Sequence, residues 1–250
     1  MDRRASGFSI DKKGAIDLVT EVDLECERMC RALIAERFPA HDILAEELSD
    51  PAACSSARCR WVFDPLDGTT NYAHGVPIFC ASLALEIDGR TEVGAIYDPA
   101  RQELFTAERG VGAFLNGVPL HVSSTGTVID ALLVTGFPYD VHQQTGDLVA
   151  LFGAFLGTAR AVRRLGAAAL DLCYVAAGRF DGFWEQHLKP WDVAAGALIV
   201  EEAGGRVTGM DGSAFDPAAA HLVASNGHLH DQMLRVIREF REGRALKGTN

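Results

Sequence analysis

Apolar positions early in the chain recur at helical spacing. Val22, Cys26, Met29, Cys30, Leu33 and Phe38 mark one amphipathic helix. Thr20 stands where an N-cap belongs, Asp23 follows three positions later as a capping-box acid, and Pro39 stops the run. Ile43-Leu44-Ala45 leads into Glu46-Glu47, and Trp61-Val62-Phe63 reads as the end of a buried strand. Residues 78–87 and 93–97 predict strands joined by a turn containing Asp88-Gly89. Asn116-Gly117, between Phe114-Leu115 and Leu120 to Val122, predicts a hairpin, and 131–135 another strand. The pattern then changes. Helical signals around 147–156, 167–177, 192–203 and 228–241 alternate with short strands near 160–165, 180–185, 206–208 and 221–225, and Gly178, Gly204 and Gly205 stand where helices should stop. The expectation is an α/β (α+β) chain forming one domain over 1–250. Residues 1–140 would form a mainly antiparallel half and 141–250 an α/β half, with a cleft between them.

Composition narrows the class. With 250 residues and 48% hydrophobic content the chain can bury a substantial core. No apolar run reaches the roughly 20 residues that span a bilayer. Met1 to Gly7 carries basic residues without an apolar stretch behind them, unlike a secretory signal. A net charge of −11 disfavours nucleic acid and anionic membranes as partners and suits a protein that collects divalent cations. The basic residues Arg235, Arg238, Arg241, Arg244 and Lys247 fall at helical spacing and read as a solvated face. Of six cysteines, Cys26, Cys30, Cys80 and Cys173 lie in helical or apolar patterns and read as core thiols in a reducing, cytoplasmic setting. A zinc site from Cys26/Cys30 with Cys54/Cys59 is the other reading.

The chemistry concentrates in Asp64-Pro65-Leu66-Asp67-Gly68-Thr69. Pro65 fixes its own φ and restricts Asp64, so two carboxylates are presented on a stiff turn at a strand end. Fixed carboxylates suit a hard cation such as Mg²⁺, and the N–H groups of Gly68 and Thr69 suit a phosphate oxygen. Together they point to phosphoryl chemistry. Four more acids stand out, each with a plainer alternative. Asp23 also reads as a helix cap, Glu46 as part of a solvated loop and Glu185 as a surface acid after a strand. Asp192 also reads as a complement to a helix dipole.

Taken in order, these segments resemble the inositol monophosphatase family from about Asp17 to about Asn226. The resemblance rests on Asp64 to Asn71 and on Trp191-Asp192-Val193-Ala194-Ala195-Gly196. Asp17 to Asp23, Ala45-Glu46-Glu47, Gly166 to Leu172 and Asp181 to Glu185 support it, and the bacterial branch looks nearest. It implies a layered α-β-α-β-α sandwich and a Mg²⁺-dependent, lithium-sensitive phosphomonoesterase, commonly a homodimer. Inositol monophosphate would be hydrolysed to inositol and phosphate by metal-activated water. By position it implies that Glu46, Asp64 and the Leu66 carbonyl hold one Mg²⁺, and that Asp64, Asp67 and Asp192 hold another. A third, weaker ion would rest partly on Glu46. Asp23, Thr69 and Glu46 would be the catalytic groups, with Asp23 and Thr69 acting on the attacking water. Glu46, Leu66, Asp67, Gly68, Thr69, Gly166, Ala167, Ala168, Glu185 and Asp192 would line the substrate.

Two departures stand beside the resemblance. Only sixteen residues precede Asp17, where family members carry a longer lead-in, and Ala167 replaces a frequent small hydroxyl residue. Alternative substrates are fructose 1,6-bisphosphate, histidinol phosphate and 3′-phosphonucleotides. A regulatory, RNA-related role is the alternative from outside enzymology.

Overall fold

Strand β5 (Cys80–Ile87) alternates strictly, burying Cys80, Ser82, Ala84 and Glu86 toward one face. In the computed structural model, which describes residues 9–12, 18–48, 57–138, 141–219 and 221–247, β5 lies within a seven-stranded sheet. Asp17, Cys54 and residues 1–7 fall outside the described residues. The sheet order is β3 (Asp42–Ala45), β4 (Cys59–Asp67), β5, β6 (Arg90–Asp98), β7 (Glu103–Glu108), β8 (Gly112–Leu115) and β9 (Val118–Pro119). Only the β3–β4 pair in it is parallel. Asp88-Gly89 and Asn116-Gly117 turn with φ of 52° and 78°, and of 49° and 80°. Two successive left-handed residues are what tight hairpin turns require.

A five-stranded sheet runs in the order β11 (Ala161–Arg163), β10 (Leu132–Thr135), β12 (Gly182–Gln186), β14 (His221–Ser225), β13 (Arg206–Thr208). β10 is parallel to both neighbours and β14 antiparallel to both of its own. β10 thus precedes residue 140 in the chain but belongs to the second sheet. β1 (Ile10–Lys12) and β2 (Leu18–Thr20) form a separate ribbon.

Helices complete the layers. α4 (Ala168–Ala176) and α5 (Pro190–Glu202) pack on each other and touch both sheets. α1 (Glu21–Arg37) lies against β4, while α3 (Val141–Leu156) and α6 (His230–Lys247) pair against the smaller sheet. The order is helix, sheet, helix pair, sheet, helix pair. From Val193 to Val200 every residue of α5 is buried, as expected of a helix apolar on all sides. The layers meet closely at glycines. A Cβ on Gly94 would lie 2.9 Å from the Ala195 carbonyl oxygen, and one on Gly196 would lie 2.6 Å from Leu172 Cδ1.

Some readings change. α1 begins and ends as its cap and proline predict, but its apolar stripe is not its buried face. Met29, Leu33 and Phe38 are exposed, and the buried residues are Asp23, Glu27 and Ile34. Cys26 and Cys30 are accordingly half-buried, whereas Cys80 and Cys173 are true core thiols. Strand β7 and the short helix α2 (Thr69–His74) have no counterpart in the sequence reading.

His230 opens α6 without solvent exposure, its ring nitrogens 2.9 Å from Ser225 Oγ and from Thr208 Oγ1. Burial lowers its pKa to about 4, with the Arg206 charge adding to the effect. Its neutral form therefore stabilises the fold fully above pH 6.5, and that contribution, about 3 kcal/mol, is lost as pH falls toward 4. The destabilisation caused by His230→Gln should shrink across the same window. Urea unfolding of both proteins at pH 7 and pH 4.5 checks this; an equal gap at both pH values would contradict it.

Candidate active site

A bulge in β4 sets the site. Asp64 pairs with Ser82 and Asp67 with Cys80, so Pro65 and Leu66 together oppose one residue of β5. In a regular strand, residues three apart point to opposite faces. The extra residue cancels that offset and puts both carboxylates on the buried face shared by Ser82 and Cys80. Pro65 is tolerated because the bulge leaves this position without a ladder partner that needs an N–H. Gly68 follows at φ +90°, and a Cβ there would lie 2.8 Å from the Ile78 carbonyl oxygen. Glycine alone suits this turn, which opens α2.

Other elements bring further acids to the bulge. Ser82 Oγ donates to the Trp191 carbonyl at 3.3 Å, fastening the start of α5, and with it Asp192, to β5. Each of four aspartates is pinned through one oxygen by a main-chain N–H. Asp64 accepts from Leu66 at 2.9 Å, Asp67 from Ala169 at 2.7 Å, Asp192 from Lys189 at 2.7 Å and Asp23 from Thr20 at 2.8 Å. Such bonds fix side-chain orientation and leave the second oxygen to act. Asp67 also serves as the cap that Ala167 cannot provide for α4.

Asp23 bonds in two directions. One oxygen caps α1, and the other lies 3.1 Å from Thr69 Oγ1. The Thr69 hydroxyl is also 2.9 Å from the Leu66 carbonyl, so its single proton serves one of two acceptors. Glu46 follows β3, its N–H donating to the Phe63 carbonyl at 3.3 Å. The loop behind it is held by Glu27, fully buried on α1, which accepts from the N–H groups of Glu47 (2.9 Å) and Leu48 (3.1 Å) and from Arg31 Nε (2.7 Å).

A cleft of about 290 Å³ opens beside the bulge. Of the expected residues, Asp67, Gly68, Gly166, Ala167, Ala168, Glu185 and Asp192 line it. Asp23, Glu46, Asp64, Leu66 and Thr69 are not in its lining; Asp23 and Leu66 meet at the Thr69 hydroxyl, and the charges of Glu46, Asp67 and Asp192 act on Asp64. Four participants carried no role in the sequence reading. Asn71 Nδ2 donates to the carbonyls of Ile78 (2.8 Å) and Leu165 (2.9 Å), clamping α2 to the far wall. Arg164 lines that wall. Gly136 makes room for Glu185, whose carboxylate occupies the space a Cβ there would take. Glu27, one helical turn after Asp23, had a legible signal in its spacing.

The acids share one field. Burial raises Asp64 well above the usual range, and the charges of Glu46, Asp67 and Asp192 raise it further, against the Leu66 N–H. Asp67 is raised to about 6, chiefly by burial, against the Ala169 N–H and with Glu46 adding. Burial and then Asp67 raise Asp192; burial and then Asp192 raise Glu185, which Arg164 opposes. Among the described residues no three His, Cys, Asp or Glu side chains already form a metal cage. The donor set nevertheless suits a hard cation: carboxylates and one carbonyl, all oxygen, mutually repelling and desolvated.

The sequence model of the inositol monophosphatase family matches residues 1–242. The chain belongs to that family. Nus factor SuhB of Pseudomonas aeruginosa is 45% identical over 237 residues, 94% of this chain and 88% of that protein. Inositol-1-monophosphatase of Synechocystis is 44% identical over 229 residues, 91% of this chain and 79% of that one. Among solved structures, the extragenic suppressor protein suhB of Bartonella henselae superposes with a TM-score of 0.86 at 39% identity, covering 93% of this chain and 89% of that one. An IMPase/NADP phosphatase complexed with Mg²⁺ and phosphate gives 0.82 at 29%, covering 94% and 88%. As an inositol monophosphatase family member the chain is an enzyme, a phosphoric monoester hydrolase. Among the described residues no helix is long and apolar enough to cross a membrane.

Proposed function

We propose that this enzyme hydrolyses small phosphomonoesters with Mg²⁺, myo-inositol 1-phosphate among its better substrates. The observation that carries the reading is the bulge, which turns Asp64 and Asp67 to one face beside Asp192 and Glu46. Glu46, Asp64 and the Leu66 carbonyl would hold one ion; Asp64, Asp67 and Asp192 would hold a second. When bound, the ions supply Lewis acidity that neutralises phosphate charge, acidifies water and stabilises the leaving oxygen.

The chain does the rest. Asp23 holds Thr69 so that its hydroxyl can orient the attacking water and pass on a proton. The N–H groups of Gly68 and Thr69, at the start of α2, face a phosphate oxygen. Glu185, at the other end of the cleft, accepts a hydroxyl of the alcohol. Water attacks phosphorus, the P–O bond to the alcohol breaks, and no phosphoenzyme forms. A phosphate-release panel of inositol 1-phosphate, fructose 1,6-bisphosphate, histidinol phosphate and a 3′-phosphonucleotide, with and without Mg²⁺, tests the reading. No Mg²⁺-dependent release from any of them would overturn it.

Glu27 supports the loop that carries Glu46. Glu27→Gln should raise the Mg²⁺ concentration for half-maximal turnover about tenfold, the scale for loss of a group that orients a ligand. Turnover at saturating Mg²⁺ should fall less. A Mg²⁺ titration of phosphate release checks this, and an unchanged midpoint would contradict it.

Residues 1–250 would act as one domain, because α4 and α5 pack against both sheets. A homodimer is part of the proposal too; exposed Val93, Tyr97 and Leu104 on one face of the larger sheet support it. A second reading, a regulatory role related to RNA, is favoured by relatives named Nus factor. Arg235, Arg238 and Arg241 are exposed on α6. An Asp192→Asn chain that kept its cellular role would favour this second reading.

A further inference from the structure

Four described residues other than glycine take a left-handed φ. Asp88, Gln102 and Asn116 lie in hairpin turns of the larger sheet, where such a conformation is expected. The fourth, His187 at φ 64°, lies in no hairpin. It follows β12 and stands two positions before Lys189, whose N–H donates to Asp192 as α5 begins. Passing from strand to helix over so few residues calls for a left-handed position, and glycine would supply one at less cost. The His187 N–H donates to His221 Nδ1 at 3.3 Å, a bond that glycine would also make. The backbone therefore accounts for the turn but not for the imidazole. Nor does the core account for it. The ring is half-buried and stands edge-on to exposed His221, the centroids 5.3 Å apart. What His187 does reach is the cleft, which it lines beside Glu185 and Leu188.

A strained side chain kept in a cleft without a packing reason points to a ligand. Glu185 is assigned to one hydroxyl of the alcohol, and an imidazole can donate to or accept from another. Both residues line the alcohol end of the cleft, so a polyol with neighbouring hydroxyls can meet both, and an alcohol without hydroxyls meets neither. We infer that His187 is a specificity residue that takes a second hydroxyl of a polyol phosphate, beside the one assigned to Glu185. The inference rests on the cleft being a phosphomonoesterase site.

His187→Gly removes the ring and relieves the backbone at once, so function and stability should move apart. With Mg²⁺ present, the variant should raise KM for inositol 1-phosphate about threefold to tenfold, the worth of one neutral hydrogen bond. Its kcat should hold, because the contact lies away from phosphorus. KM for 4-nitrophenyl phosphate, whose alcohol has no further hydroxyl, should stay unchanged. The same variant should melt about 2–4 °C higher than the wild type. His187→Asn, which tolerates the left-handed backbone and keeps a donor and an acceptor, should recover part of the lost affinity. An unchanged KM for inositol 1-phosphate, or equal changes on both substrates, would overturn the inference. So would a lower melting temperature, which would show that packing on His221 accounts for the residue. If the wild-type enzyme releases phosphate from neither compound, the phosphatase reading falls and takes the inference with it. Normal release with an unchanged KM ratio in His187→Gly removes the inference alone.

Discussion

Asp64→Asn should lower turnover of inositol 1-phosphate about a thousandfold, because a Lewis-acid contact to a transferring phosphoryl group is worth several kcal/mol. Asp64 is the acid proposed to serve both ions. The change is nearly isosteric, and the amide oxygen can still accept the Leu66 N–H. Stability should move the other way. Burial and three neighbouring acids hold the Asp64 pKa well above its unfolded value, so near neutral pH its charge opposes folding without metal. That opposition fades as pH falls below the raised pKa. Metal-free Asp64→Asn should therefore melt higher than the metal-free wild type near pH 7, and gain less from added Mg²⁺. Thermal melts with and without Mg²⁺, beside single-substrate kinetics, check both halves. Near-wild-type turnover would remove Asp64 from the ion sites.

Thr69→Ala should cost about a hundredfold in kcat with little change in KM. Its hydroxyl is assigned to the attacking water, and general acid–base contributions begin near that size. Asp23→Asn should act in the same direction. Thr69→Ala is the cleaner test, since it leaves the bond between Asp23 and the Thr20 N–H that caps α1 intact. A change confined to KM in Thr69→Ala would move the residue to substrate binding.

The sequence made the elements legible where one signal dominated. The caps and proline of α1, the two glycine turns, and the strands at 206–208 and 221–225 all stand where their residues place them. It was misleading where tertiary packing overrode periodicity. The buried side of α1 carries two acids beside Ile34 because Asp23 and Glu27 satisfy main-chain N–H groups at Thr20 and in the 46–48 loop. An apolar stripe cannot reveal such a face. The first six residues of α3, Val141-His142-Gln143-Gln144-Thr145-Gly146, escaped notice because they are mostly polar.

The proposed ligands were found by motif, while the reason Asp64 and Asp67 share a face was not. Their spacing of three argues against it in a regular strand, and only pairing with β5 exposes the bulge. Arg164 and Asn71 escaped for a related reason. Asn71 reaches the Leu165 carbonyl 94 positions away, and Arg164 lines a cleft assembled from distant segments, so local pattern carries no information about either.

The central claim is that the acids around the bulge hold the divalent ions on which phosphate release depends. The most direct measurement is phosphate release from inositol 1-phosphate by metal-stripped enzyme as Mg²⁺ is added back. It should be paired with calorimetric Mg²⁺ binding to the wild-type and Asp64→Asn proteins. The account predicts no release without the ion, full recovery with it, and binding that weakens sharply in Asp64→Asn. Release that persists in the stripped enzyme, or Mg²⁺ binding indifferent to Asp64, would contradict it.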